Sequence, residues 1–517
     1  MQRDKSEIIA GIDVGSHALR MKIVQVKKNG QIKTLELLRK PISLGRDTYT
    51  MGKISFEAVD ETCDILKGFK KLMKEYEVKN YKAVATSAIR EAKNREYIID
   101  QIKLKTGLNI DVIDNSEERF LTYKAIRENL KDHEKLRKEG VLIVDIGSGS
   151  IEISGYEENL LFTQNIKLGS LRLREILSSI ERRTLNFPRI LEEYIHSNID
   201  GLKNLYFHQE FSNFIALGGE IRIIHQLCNE EENLNYIKKE DFERIYEIIL
   251  HKPVHRIVED HDIPYQRADV LVPSMIIFKK FLDMTKGDRI HVPLVSLRDG
   301  IVSDLVDQRY RTKRSVDFHK DIVSLARNLA KRYLYDSLHA EDVENKAILL
   351  FDALQSLHGL GDEERLLLRL SAILHDVGKF INSREHYKNS YKIIKGSNFI
   401  GISQEKLEII ANIARYHSRI APSYSHKSFS SLSEKNRVIV SKLVAIIRLA
   451  DGLDKSHQQK IKDMKVILKE KEVLITATTT KNILLEEWTF SLKSEFFQEV
   501  FGIKPILKIK RKMIDEF

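Results

Sequence analysis

The chain has 517 residues, 42% hydrophobic and 31% charged, which excludes a disordered polymer and a single small core and fits about three or four domains. A net charge of +10 and an isoelectric point near 9.1 suit a polyanionic partner without choosing among polyphosphate, nucleotides and nucleic acid. Two cysteines, Cys63 and Cys228, lack CxxC spacing and exclude a disulfide framework or zinc finger, and no apolar run approaches the ~20 residues that span a bilayer; a reducing, cytoplasmic setting without membrane insertion is expected.

In chain order, the charged start MQRDKSE leads into an apolar strand, Ile8 to Val14, then Gly15 and Ser16, then a second strand from Leu19 to Lys27. A helix near Glu57–Glu75, a buried strand Ala83–Thr86 and a helix after Asn94 follow. In IDNSEERF, Asn115 or Ser116 is placed to cap a helix, with Glu117 and Glu118 in its first turn, a position that favours acids whatever their function. After the charged stretch Lys131–Glu139 the opening pattern returns: a strand Val141–Ile146, then Gly147, Ser148, Gly149 and Ser150, then a strand Ile151–Tyr156.

The two copies, IDVGSHAL around Asp13 and VDIGSGSI around Asp145, form the internal repeat of this chain. One copy alone reads as an ordinary hairpin with a Gly-Ser turn. Repeated, the glycines admit close backbone approach, the loop N–H groups and Ser hydroxyls can donate to phosphate oxygens, and each Asp can hold a metal ion through water. A dinucleotide fold or Walker loop needs a helix directly after the glycines, and here a strand follows. The pattern predicts an α/β chain with duplicated actin-like (ASKHA, ribonuclease H-like) domains.

The second half continues to about Val306 and ends in helical VSLRDGIVSDLVDQRY; the basic run RYRTKR, Arg309 to Arg314, is the linker candidate. Neither it nor Lys510–Lys512 is interleaved with stacking aromatics, so no specific nucleic-acid site is expected. From Ser315 to Gln459 apolar residues recur at helical spacing. Within this region His375-Asp376, with His339 before and Asp451 after, forms a quartet able to hold one or two divalent cations and generate hydroxide for phosphoester hydrolysis. His261-Asp262 is a chance dipeptide in a chain with 17 histidines, and His386 and His417 read either as groups supporting the quartet or its substrate, or as surface histidines. The last stretch alternates as strands around a short helix, a small C-terminal α/β module. The expected domains are 1–125, 126–308, 315–459 and 460–517.

Together with the two loops, VATSAIREAKN (Val84–Asn94), VIDNSEERFLTY (Val112–Tyr123), KLGSLRLRE (Lys167–Glu175), IALGGEIRII (Ile215–Ile224) and HAEDVENKAILLFDAL (His339–Leu354) resemble, in order, the exopolyphosphatase and guanosine pentaphosphate phosphatase (Ppx/GppA) family. The resemblance implies that Glu118 is the catalytic carboxylate that positions or deprotonates water, that Asp13, Asp145 and Glu152 lie on the Mg²⁺ side, and that Arg90 grips phosphate. Gly15, Ser16, Gly147, Ser148, Gly149 and Ser150 form the implied phosphate cradle. Glu152 also reads as a solvent-facing strand residue. The implied helical domain is HD-like, of a kind in which the metal ligands are often lost; here His339, His375, Asp376 and Asp451 are all present, for a second divalent metal (Mn, Fe or Mg).

Several positions depart from the family pattern. Arg119 directly follows Glu118, with Phe120 where an Arg is usual; the second loop is GSGS where three glycines are common; His17 stands in place of Asn. Gly218 and Gly219 resemble a nucleotide-approaching loop, although Glu220 weakens a nucleotide reading there. The expectation is an Mg²⁺-dependent hydrolase, a homodimer, that removes terminal phosphate from inorganic polyphosphate or from pppGpp. The alternatives are a nucleotide hydrolase working from the HD-like site and a non-catalytic polyphosphate or alarmone receptor. A sugar kinase of the same superfamily fits Glu118 and the helical region less well.

Overall fold

In the computed structural model the described residues are 6–28, 30–130, 132–181, 183–184, 186–206, 210–229, 234–310 and 314–511. Parts of the sequence expectations therefore fall outside them: the start of MQRDKSE, the middle of the basic run 309–314, and Lys512. The head of the charged stretch, Lys131, also lies outside. The chain divides into two compact units, Met1–Phe318 and His319–Phe517, and the division falls within a helix, Arg314–Arg332.

The first unit contains two sheets of matching topology. β1 (Glu7–Val14), β2 (Ala18–Val26), β3 (Ile32–Pro41), β4 (Asn80–Ala85) and β5 (Asp111–Val112) stand in the order β3-β2-β1-β4-β5. β6 (Val141–Ile146), β7 (Ile151–Glu157), β8 (Asn159–Ile166), β9 (Asn213–Gly218), β10 (Tyr236–Lys238) and β11 (Arg289–His291) stand in the order β10-β11-β9-β6-β7-β8. In each sheet a central strand pairs antiparallel with the strand after its loop and parallel with the strand that returns through a crossover. Buried on both faces, β1 and β6 read as apolar runs with little alternation. The duplicated actin-like architecture follows from this repetition.

The helix Phe56–Glu75 buries Val59, Cys63, Leu66, Phe69 and Met73, an apolar stripe at three- and four-residue spacing, and is capped by Ser55. The helix Asn115–Asn129 is capped by Asp114, a correction to the expected Asn115 or Ser116. Asp114 Oδ1 accepts from the N–H of Ser116 at 2.9 Å and of Glu117 at 3.0 Å, and Glu117 accepts from Asp114 N–H at 3.2 Å, a closed capping box. The expected division at 125/126 lies inside this helix. The helix Leu297–Tyr310, expected as the end of the second half, packs on the first sheet, where Val302 and Val306 join Ile9, Val24 and Val26. Its Asp304 takes Lys124 and Lys82, each at 2.9 Å.

In the second unit the helices Ser337–Ala353, Asp362–Leu374, His386–Lys395, Gln404–Tyr416 and Glu434–Gly452 are followed by a small sheet. That sheet is β12 (Asp463–Leu468), β13 (Glu472–Thr479) and β14 (Lys504–Arg511), with a helix, Leu484–Phe501, between the last two strands. The short helix expected here is 18 residues long, and its Lys493 is buried against Asp451. Among the described residues no helix is long and apolar enough to cross a membrane.

Candidate functional site

The repeated loops place their functional residues at equal register. Asp13 pairs with Arg20 across β1 and β2, and Asp145 with Glu152 across β6 and β7. Arg20 Nη1 donates to Asp13 Oδ2 at 2.9 Å, so the acid of the first loop is neutralised by its own hairpin. Asp145 makes no ion pair or side-chain hydrogen bond among the described residues.

Hydroxyl groups bring the loops together. Ser16 Oγ lies 3.2 Å from Ser87 Oγ and 3.4 Å from the Tyr49 hydroxyl, and Tyr49 lies 2.9 Å from Ser87. Gly149 of the second loop packs on this group so closely that a Cβ there would sit 2.4 Å from the Tyr49 oxygen. Arg172 Nε donates to Gly149 O at 2.7 Å and Nη2 to Glu91 at 2.6 Å, which holds the second loop to the first half. Gly147 N–H closes the turn on Ser150 O at 2.9 Å, whereas the N–H groups of Ser148, Gly149 and Ser150 have no partner among the described residues. Uncommitted donors in a tight turn make an anion-binding nest.

Glu118, in the first turn of its helix, accepts from Arg90 Nη1 at 3.0 Å, and the same nitrogen donates to Ile113 O at 2.8 Å. The other guanidinium nitrogens of Arg90 carry no hydrogen bond among the described residues. Arg119 is buried and donates to Glu152, which also accepts from Asn165. The guanidinium therefore enters the site from Arg119, while Phe120 faces Phe318 at 4.2 Å between ring centroids. Paired in this way, Glu152 is not a solvent-facing strand residue.

These carboxylates are electrostatically crowded. Asp145 is pushed up to about 7 by burial and then by Glu118, Glu152 and Glu220. Glu152 rises to about 7 through burial, with Arg119 opposing and Glu118 adding to it. Glu118 is raised by burial against the pull of Arg90. Such a set of hard oxygen donors, each destabilised by the others' charge, fits a divalent cation such as Mg²⁺. Beside it, Arg39 is lowered by burial and by Arg20, Arg267 and Arg298, which marks a crowd of cations. His17 is lowered to about 4 by burial and then by Arg20, Arg267 and Arg39. Gly219 O accepts from Arg267 at 2.5 Å, and Glu220 is raised by burial while Arg267 pulls it down.

In the second unit His339, His375, Asp376 and Asp451 converge, joined by His386 and His417. His339, at the start of its helix, lies 3.3 Å from His375 between Nε2 atoms and 3.4 Å from Asp451 Oδ1. It is raised to about 9, its burial outweighed by Asp451 and Asp454. Asp376 is held well below the usual carboxylate range, its burial outweighed by His375 and His417. Asp451 is likewise low because Lys493 and the histidines outweigh its burial. His417 is lowered to about 4 by burial. The sequence reading missed Arg20, Tyr49, Ser87, Asn165, Asp454 and Lys493. Aligning the repeat finds Arg20, which stands seven residues after Asp13 as Glu152 stands after Asp145.

Residues 23–309 match the Ppx/GppA phosphatase family, and residues 324–499 match Ppx/GppA phosphatase, domain III. The guanosine-5'-triphosphate,3'-diphosphate pyrophosphatase of Photobacterium profundum is 22% identical over 463 residues, covering 86% of this chain and 85% of the relative. The protein of the same description from Pseudoalteromonas translucida is 22% identical over 457 residues, 87% of each chain. The crystal structure of an exopolyphosphatase from Cytophaga hutchinsonii is 23% identical with a TM-score of 0.52, covering 58% of this chain and 98% of that one. That last likeness concerns the fold alone.

Proposed function

This chain belongs to the Ppx/GppA phosphatase family, and from that premise we propose that it removes the terminal phosphate of inorganic polyphosphate or of pppGpp, in the presence of Mg²⁺, between the two halves of its first unit. It is a hydrolase of phosphoanhydride bonds. The observation that carries the placement is the meeting of Ser16 and Gly149 on Tyr49 and Ser87, with free loop N–H groups on one side and the crowded carboxylates Glu118, Asp145 and Glu152 on the other.

In this reading the N–H groups of Ser148, Gly149 and Ser150 and the Ser16 hydroxyl receive phosphate oxygens. The arginines around Glu220 supply the cationic wall along which a phosphate chain lies. Asp145 and Glu152, with Asp13 of the first loop, would hold Mg²⁺, which would supply charge neutralisation of the phosphates. Glu118, a stronger base for its burial, takes a proton from water; the water oxygen attacks the terminal phosphorus, and the bridging P–O bond breaks with its electrons on the departing chain. Arg90 orients Glu118 and keeps further donors for the phosphoryl oxygens.

We further read the helices of the second unit as an HD-type domain in which His339, His375, Asp376 and Asp451 bind a divalent metal, a role supported by their convergence. Phosphate release from long-chain polyphosphate and from pppGpp, each with Mg²⁺ and with chelator, tests the main reading. Release from at least one that chelator abolishes is expected; Mg²⁺-independent release, or none from either, would overturn it.

A further inference from the structure

We infer that Arg172 is a positioning residue for phosphate release: one arm of its guanidinium aims the N–H groups of the second phosphate loop, and the other ties that loop to the short helix that carries Arg90. This role rests on the reading of the cleft proposed above. It adds a residue that acts through Gly149 and Glu91 rather than on the substrate.

Three consecutive carbonyls of the loop are taken by one short segment. Gly147 O accepts from Ser170 N–H at 3.1 Å, Ser148 O from Arg172 N–H at 2.9 Å, and Gly149 O from Arg172 Nε at 2.7 Å. The carbonyl and the N–H of one trans peptide point in opposite directions. With their carbonyls held by the start of the helix Ser170–Glu181, the same three peptides turn the N–H groups of Ser148, Gly149 and Ser150 the other way. These are the three donors that carry no partner among the described residues. The nest is therefore aimed from behind, and its last peptide is aimed by a side chain.

Gly169 admits this grip, since a Cβ there would sit 2.4 Å from both Gly149 N and Ser150 N. The first loop is held at the equivalent place, after the third strand of its sheet, by backbone groups. Gly45 N–H donates to Ser16 O at 2.9 Å and Ile42 N–H to His17 O at 3.0 Å, on and just before the helix Leu44–Met51. Arg172 adds a side chain to the scheme that the repeat shares.

The second arm reaches the other half. Arg172 Nη2 donates to Glu91 Oε2 at 2.6 Å, and the guanidinium lies 4.6 Å over the Tyr49 ring. Glu91 ends the short helix Ser87–Glu91 and follows Arg90, whose Nη1 donates to Glu118 Oε2 at 3.0 Å. Tyr49 in turn donates to Ser87, at the start of that helix. One planar fork thus joins the loop that receives phosphate to the helix that steers the water-activating acid. With 16% of its side chain exposed, Arg172 is not a solvated surface charge. A lysine ammonium offers its charge at one point and cannot serve Gly149 and Glu91 together.

Steady-state phosphate release by the full chain with Mg²⁺, from whichever of long-chain polyphosphate and pppGpp the wild type hydrolyses, tests this role. Arg172→Ala should lower kcat about 10²-fold, as loss of aimed backbone donors does, with KM moved less and the circular dichroism spectrum unchanged. Arg172→Lys should stay near Arg172→Ala. Added guanidinium ion, well below denaturing concentration, should restore much of the loss in Arg172→Ala and none in Glu118→Gln. Glu91→Gln keeps the arm on Gly149, so it should raise KM several-fold and lower kcat by less than Arg172→Ala does. Full activity in Arg172→Ala, or a loss in the folded variant that guanidinium does not repair, would overturn the positioning role. If Arg172→Ala does not fold, Glu91→Gln decides, and an unchanged KM would overturn the tie between the halves. A wild type that releases phosphate from neither substrate would overturn the cleft reading itself.

Discussion

Glu117 and Glu118 are adjacent and identical in chemistry, and a single residue step of about 100° around the helix separates their roles. Glu117 closes the capping box with Asp114, so its carboxylate is spent on the helix; Glu118 points to Arg90 and feels the acids of both loops. Arg90→Lys keeps the charge but loses the fork that can hold Glu118 and phosphate at once, so kcat/KM for phosphate release should fall about 10²-fold with thermal stability unchanged, read from steady-state kinetics. An unchanged kcat/KM would remove Arg90 from the site. Much of this was legible from residues: the paired loops, Asp145 and Glu152, and the acidic helix start all converge. Asp114 was not, because the pattern Asp-Asn-Ser offers three caps and only backbone conformation chooses. The ion pairs Arg20–Asp13 and Arg119–Glu152 were equally hidden, since each joins residues whose spacing shows no charge pattern of its own.

The short helix His133–Glu139 illustrates how an element can carry a pH dependence. His133 is buried beneath Tyr123, 5.6 Å between ring centroids, and is lowered to about 3 by burial and then by Arg137 and Arg127. Its folded pKa lies below the unfolded value near 6.5, so the unfolded chain binds the proton more readily, and stability is lost as pH falls from about 6.5 toward 3. Between pH 7 and 5 the first unit should lose about 2 kcal/mol that His133→Phe does not lose, measured by urea unfolding. Parallel acid limbs in the two proteins would contradict a neutral buried His133. At this scale the apolar strands and amphipathic helices were readable from periodicity. β3 was not anticipated because, at the edge of its sheet, it buries little and alternates weakly. The helix Leu484–Phe501 looked short because Trp488, Thr489, Phe490, Phe496 and Phe497 favour strand by propensity, and packing overrides them.

Across the molecule, the repeat that announced the fold also explains why the first unit is a pair of sheets whose two loops meet. The second unit brings a different donor chemistry, imidazole in place of hydroxyl and amide. The sequence placed His339, His375, Asp376 and Asp451 together as a quartet and left His386 and His417 either as its supporting groups or as surface histidines; the helix ends bring all six side chains together. A chain of net charge +10 should engage a long polyanion through screened attraction, so KM for long-chain polyphosphate should rise from about 50 to about 200 mM salt while kcat holds. A salt-independent KM would show that the basic surface takes no part.

The central claim is that water is activated in the first unit by Glu118. Phosphate release from polyphosphate and pppGpp with Mg²⁺, by wild type and Glu118→Gln matched for folding, tests it most directly. The account predicts a fall in kcat of about 10²- to 10⁴-fold in the variant; equal release by both proteins would contradict it.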